Sequence, residues 1–219
     1  MSESRRFAET LTPDNAVVAL IDHQTGLLSG VRDQAPKELQ NNLSGLLNLA
    51  KVLELPTVVT SSMADGPNGP LMPDIGQTLP NAPVIERPGE INAWKNDDFR
   101  GFIEKTGRKK IIMAGIVTDV CLLFPALSAV ADGYDVYAVI DASGTWNKYT
   151  QEVTLHRLSQ GGVKVSTWSS VLAEIMDDWR SAKGMDLGGV LGDHITSYSW
   201  VYSSYLSAQQ APADQENAA

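Results

Sequence analysis

The stretch RKKIIMAGIVTDVC, Arg108 to Cys121, opens on cations, runs through seven apolar or small residues and turns polar at Thr118 and Asp119. A continuous apolar run rich in β-branched residues is the pattern of a strand covered on both faces, as in parallel sheets. Thr118 can cap a following helix, with Asp119, Val120 and Cys121 as its first residues. The helical pattern continues through LLFPALSAVADG to Gly133. A buried strand thus passes directly into a helix, and the junction carries the only cysteine of the chain.

The same alternation extends to both sides. AVVALID (Ala16 to Asp22), PTVVTSS, APVIER, DVYAVIDAS and VKVSTW read as further strands. Between them lie helical segments: KELQNNLSGLLNLAKVLEL with its stripe at Leu39, Leu43, Leu46, Leu47 and Ala50, Asp97 to Thr106 closed by Gly107, TQEVTLHRLSQGG, and SSVLAEIMDDWRSA. DGPNGPLMPDIG is punctuated as a loop. Strands alternating with helices demand βαβ crossovers. The expected fold class is α/β, a three-layer α/β/α Rossmann-like fold on a six-stranded parallel sheet, occupying residues 1–182. From Lys183 the pattern changes to a glycine- and aromatic-rich segment without a clear period. It reads as a loose tail or as an arm. Tyr198, Trp200, Tyr202 and Tyr205 are costly to leave in water, which favours an arm over 183–219 that packs on neighbouring subunits. APADQENAA at the end reads as disordered.

The chain has 219 residues, suited to one domain with an appended arm. Its net charge of −9 argues against non-specific nucleic-acid binding. One cysteine cannot form an intrachain disulfide, which points to a reducing compartment. Neither a secretory signal nor a membrane-spanning segment is legible. The expected setting is cytoplasmic, with no nucleic-acid or membrane partner.

In open parallel sheets, ligands bind beyond the carboxyl ends of the strands. The first strand ends in Asp22, the third in Arg87, the fifth in Asp141, and the fourth leads to Cys121. At the start of a helix, dipole and free amides lower a thiol's pKa and favour the thiolate. Pro125 removes the helical partner of the Cys121 carbonyl, so a distorted first turn is expected. Each of the three residues also has an ordinary reading. Cys121 could be buried filling, Asp22 a cap or turn former, and Arg87 a surface partner of Glu86 or Glu90. Gln24 shares the side of Asp22 in an extended chain, and His23 points the other way. His23, His156 and His194 lack zinc spacing, and G-x-G-x-x-G, P-loop and G-x-S-x-G signatures are absent.

These residues in this order, LIDHQTGLL, GPNGPL, RPGEINAW, AGIVTDVC and DASGT, make the chain resemble the isochorismatase-like cysteine hydrolase superfamily, and within it the YcaC-like subgroup of octameric hydrolases. The resemblance runs from about Ala16 to Arg180. It implies an Asp–Lys–Cys triad in which Asp22 is the acid/base and Cys121 the nucleophile. The position of the usual lysine is Arg87 here, which holds its charge but cannot shuttle a proton. Lys95, Lys109 and Lys110 do not occupy that position. The resemblance further implies a non-proline cis peptide at Ile116–Val117 and an oxyanion hole from the backbone amides of Val117 and Cys121. The Asp-x-His element of metal-bearing relatives is missing from TSSMADGPNGP, so neither a metal nor another cofactor is expected. Trp94, Phe124, Trp146 and Gln24 are candidates to bind substrate, although the aromatics are equally readable as core.

The expected function is hydrolysis of an amide-like C–N bond of a small molecule through a thioester. Two alternatives remain: a non-catalytic oligomeric scaffold with a vestigial triad, and a redox-sensing cysteine protein, which the lack of a second cysteine weakens.

Overall fold

The computed structural model describes residues 10–216. Its centre is a six-stranded, all-parallel sheet in the order β3-β2-β1-β4-β5-β6. The strands are β1 Ala16–Ile21, β2 Thr57–Ser62, β3 Val84–Arg87, β4 Lys110–Gly115, β5 Asp135–Val139 and β6 Lys164–Ser166. Every residue of β1 and β4 is buried, whereas β3 and β6 at the edges are short and partly exposed. The apolar runs of the sequence therefore lie where helices cover both faces. In register, Ile21 stands opposite both Thr60 and Gly115.

The helices are α1 Thr25–Gly30, α2 Pro36–Val52, α3 Pro73–Thr78, α4 Asp97–Lys105, α5 Leu123–Ala131, α6 Lys148–Gln160, α7 Trp168–Met176, α8 Gly184–His194 and α9 Thr196–Glu216. On one side α2 packs with α3, α7 and α8. On the other, α5 packs with α6 and with a short 3-10 turn at Ala93–Lys95, which also meets α4. The stripe read on α2 is buried throughout. Asn96, Asn147 and Thr167 accept backbone N–H groups at the starts of α4, α6 and α7, which fixes where each begins. Gly107, Gly133 and Gly162 take positive φ beyond α4, α5 and α6, the backbone conformation that glycine adopts most readily.

Three expectations need correction. The helix expected over 169–182 stops at Met176, because Asp177 turns to φ +57. The segment from Lys183 is neither loose nor aperiodic in structure but forms α8 and α9. Its first half belongs to the domain core through Leu187, Val190 and Leu191. In α9, Tyr198 stacks on Trp179 of the same chain, and Trp200, Tyr202 and Tyr205 are exposed. The disorder expected from Ala211 falls partly on the last turns of α9. Residues 217–219 lie outside those described, as does the N-terminal stretch through Glu9.

Candidate active site

The order of the strands reverses direction between β1 and β4, since β2 and β3 extend one way and β5 and β6 the other. Such a switch point opens a crevice at the carboxyl ends of the strands. Asp22 follows β1 there, the Cys121 turn follows β4, and Arg87 closes β3.

Asp22 takes φ +55 and is 1% exposed. The left-handed turn is one that aspartate tolerates better than most side chains, and it reverses the chain so that the Gln24 N–H meets the Asp22 carbonyl at 2.7 Å. Arg87 is 2% exposed, and its Nη2 donates to both carboxylate oxygens of Asp22. Its Nη1 donates to the Glu90 carbonyl, and its Nε to Thr60 Oγ1 at 3.0 Å. Arg87 is thus no surface partner of Glu86, nor of the Glu90 carboxylate. A guanidinium with acceptors on three sides can keep its charge away from water, which a point-charge ammonium does less well.

The Ile116–Val117 peptide is cis. Beyond it the chain forms a five-residue π-helical turn, Thr118–Leu122, before α5 begins at Leu123. The distortion expected from Pro125 is present. The cap, however, differs from the sequence reading: the extended residue is Val117, and Thr118 already belongs to the turn. The Val117 carbonyl gathers the N–H groups of Val120, Cys121 and Leu122. The Cys121 N–H is therefore engaged at 2.8 Å, and an oxyanion placed here would have to share it.

Cys121 is buried and faces the Asp22 carboxylate. Burial pushes its pKa well up, and the neighbouring carboxylate adds to the rise, while the Val117 amide and Arg87 pull the other way. This corrects the expectation drawn from the helix start. Desolvation and a like charge outweigh the dipole, and the resting group is a thiol rather than a thiolate.

Of the candidate substrate-binding residues, Gln24 is fully buried. Its amide donates to the Ser62 and Gly69 carbonyls at 3.1 and 2.5 Å, and its oxygen accepts the Ser62 N–H at 3.0 Å. It ties β2 and the GPNGPL loop to the β1 exit. Gly26 lets that loop approach, since a Cβ there would lie 2.1 Å from the Pro67 carbonyl oxygen. Trp94 is buried against Tyr134, with its indole N–H on Asp132 at 2.7 Å. Both residues serve the framework. Phe124 is half-buried and, with Ile91 and Leu127, lines a groove of about 650 Å³ that also includes Glu90. Trp146 is exposed and lies over Gly30.

The structure also brings in residues that the sequence did not single out. Asp33 accepts the Thr145 N–H at 2.8 Å, and Thr145 Oγ1 donates to Asp119, two residues before the cysteine, at 2.5 Å. The Gly144 carbonyl accepts the Thr118 N–H at 2.9 Å. The DASGT loop is thereby tied to the cysteine turn. His23, buried beside Asp22, contacts the Ala142 carbonyl through Nε2 at 2.9 Å, and burial lowers its pKa to about 4. His156 is exposed, and His194 is bound to Asn41 and Asn48 beside Trp168. Asp141 caps α7 through the Trp168 N–H at 2.9 Å and does not join the three residues of the crevice. Among the described residues, no group of three or more His, Cys, Asp or Glu is placed to hold a metal ion. No described helix is long and apolar enough to cross a membrane.

Comparison with known proteins supplies a context for this arrangement. The isochorismatase domain model matches residues 15–170. The chain is 46% identical over 198 residues to the probable hydrolase YcaC of Escherichia coli, covering 89% of this chain and 93% of that one. The crystal structure of the Escherichia coli YcaC product, described as an octameric hydrolase of unknown specificity, superposes with a TM-score of 0.88 over 91% of this chain and 97% of that one. YcaC from Pseudomonas aeruginosa, solved with hexane-2,5-diol and covalent acrylamide, is 44% identical and superposes with a TM-score of 0.86 over 90% and 97% of the two chains.

Proposed function

The chain belongs to the isochorismatase family, as a YcaC-like hydrolase, and on that premise we propose that it cleaves an amide-like C–N bond of a small molecule through a thioester on Cys121. One observation carries the reading: a single buried carboxylate, Asp22, is bound by a buried guanidinium and faces the only thiol of the chain.

A protonated thiol is a weak nucleophile, so the proton leaves as attack begins. Asp22 takes it while the Cys121 sulfur bonds to the substrate carbonyl carbon. The tetrahedral oxyanion is held by the Val117 amide and by the Cys121 amide, the latter shared with the Val117 carbonyl. Asp22 then gives the proton to the leaving nitrogen, the C–N bond breaks, and ammonia or an amine departs. Water attacks the thioester with Asp22 as base, the C–S bond breaks, and the proton returns to sulfur. Arg87 moves no proton. It fixes the direction of the carboxylate and offsets the negative charge that passes between Asp22 and Cys121. The groove beside Phe124 and Ile91 offers an apolar wall for the acyl part of the substrate.

The covalent acrylamide of the Pseudomonas relative supports the reading by its chemistry. Acrylamide takes a soft nucleophile at its β-carbon, and Cys121 is the one thiol available here. Self-association is part of the proposal. The Escherichia coli relative is octameric, and Trp200, Val201, Tyr202, Tyr205 and Leu206 give α9 an exposed apolar surface of the kind that subunit contacts cover. A panel of primary amides and nitriles, read for ammonia, tests the function. Release that depends on Cys121 is expected, and full turnover by Cys121→Ala would refute it.

A further inference from the structure

Arg87 closes β3 and Asp22 follows β1, two strands that do not touch, since β2 stands between them. Thr60 of β2, opposite Ile21 of β1 and Ile85 of β3, is fully buried and reaches both sides. Its backbone carbonyl accepts the Asp22 N–H at 2.9 Å, at the residue with φ +55. Its hydroxyl donates to the Ile85 carbonyl of β3 at 2.7 Å, two residues before Arg87. The hydroxyl has one proton, and Ile85 takes it. Toward Arg87, therefore, Thr60 Oγ1 presents only lone pairs, and it accepts the Arg87 Nε–H at 3.0 Å. One residue thus sets the backbone of the carboxylate and the plane of the guanidinium.

We infer that Thr60 is the positioning residue of the Arg87–Asp22 pair and that its hydroxyl aims Nη2 of Arg87 at the carboxylate on which Cys121 depends. An arginine has a planar fork with five N–H groups, and its charge points usefully only if the fork is held at its other corners. The Glu90 carbonyl holds one corner and Thr60 the other. A lysine at position 87 would have no Nε–H for this hydroxyl to accept, so the requirement for Thr60 is tied to arginine. The inference rests on the proposed role of Cys121.

The test follows acrylamide addition to Cys121 by mass spectrometry, with full-length protein and increasing reagent. In this step a C–S bond forms, the carbon–carbon double bond opens, and the thiol proton passes by way of Asp22 to the α-carbon. Thr60→Val keeps the shape of the side chain and its backbone carbonyl but removes the hydroxyl. Its limiting labelling rate is expected to fall roughly tenfold to a hundredfold, the usual penalty for a misdirected catalytic group, with the half-saturating concentration nearly unchanged. Thr60→Ser is expected to restore most of the rate. In an Arg87→Lys background the Thr60→Val effect is expected to vanish. A folded Thr60→Val protein labelled at the wild-type rate would overturn the inference. So would equal losses in Thr60→Val and Thr60→Ser, or a loss that persists beside Lys at 87, since either indicates packing alone. If Thr60→Val does not fold, Thr60→Ala compared with Thr60→Ser makes the same distinction. Wild-type Cys121 reacting no faster than free cysteine would instead remove the functional reading on which the inference stands.

Discussion

Two buried ion pairs stand at opposite ends of the same sheet. At the amino end, Lys110 of β4 meets Asp135 of β5 at 3.1 Å, with Lys164 at 3.9 Å and the Tyr137 ring beside both amines. At the carboxyl end, Arg87 meets Asp22. Each pair joins a buried cation to an aspartate, but only the pair at the carboxyl end has a thiol beside it. Lys110 and Asp135 are the first residues of adjacent strands and lie within regular backbone. Asp22 leaves the sheet at a positive φ, and a thiol at a π-helical turn faces its carboxylate. A buried ion pair is therefore weak evidence of function. What distinguishes the site is a thiol facing the pair, set at the switch point of the sheet.

The comparison can be broken in several ways. Cys121→Ala should have the largest effect, lowering amide turnover at least about a thousandfold, as loss of a nucleophile does in other covalent hydrolases, while leaving the fold intact in circular dichroism. Arg87→Met strands the Asp22 carboxylate in a site 1% exposed. It should cost about 3–5 kcal/mol in denaturant unfolding and remove activity as well. Lys110→Met is the counterpart at the other end. Asp135 keeps Lys164 within 3.9 Å, so the expected loss is about 1–3 kcal/mol, with kcat unchanged. Activity lost in Lys110→Met, or kept in Arg87→Met, would erase the distinction between the two ends.

A pH experiment sharpens the same contrast. Burial lowers the pKa of His23 from 6.5 to about 4, so the unfolded chain binds more protons across that range and stability falls as pH drops through it. Burial raises Asp141 from 3.8 to about 6, so there the native state binds more protons and stability rises as pH drops from 6 toward 4. The two slopes oppose each other. Asp141→Asn keeps an oxygen for the Trp168 N–H but removes the second slope. Relative to wild type, it should lose roughly 2–3 kcal/mol of stability between pH 6.5 and 4. Parallel stability curves for the two proteins would contradict these environments.

The fold was legible in the sequence because its signals are local. The apolar runs of β1 and β4, the stripe on α2 and the glycines after α4, α5 and α6 depend on neighbours in the chain. The segment over α8 and α9 was misread, since the apolar stripe of α8 is short, only Leu187, Val190 and Leu191 set among glycines, although α8 packs on α2. Asp22, Arg87 and Cys121 were legible as strand ends. Their mutual contacts were not, and the protonated state of the thiol was misread, because burial and the facing carboxylate arise only from tertiary structure. Gln24 was placed by an extended chain that the Asp22 turn breaks, and its place as a brace depends on the Ser62 and Gly69 carbonyls. Thr60 gave no local signal at all: a threonine in a β-branched strand is ordinary.

The central claim is that the Cys121 sulfur becomes covalently bonded to substrate with Asp22 carrying the proton. The most direct test is rapid-quench mass spectrometry of the Cys121 peptide during turnover of an accepted amide, in wild type and Asp22→Asn. The account expects an acyl adduct that forms and is hydrolysed in the wild type and that is absent, or formed far more slowly, in Asp22→Asn although the thiol is present. Turnover without any adduct on Cys121, or an adduct formed equally fast in both proteins, would contradict it.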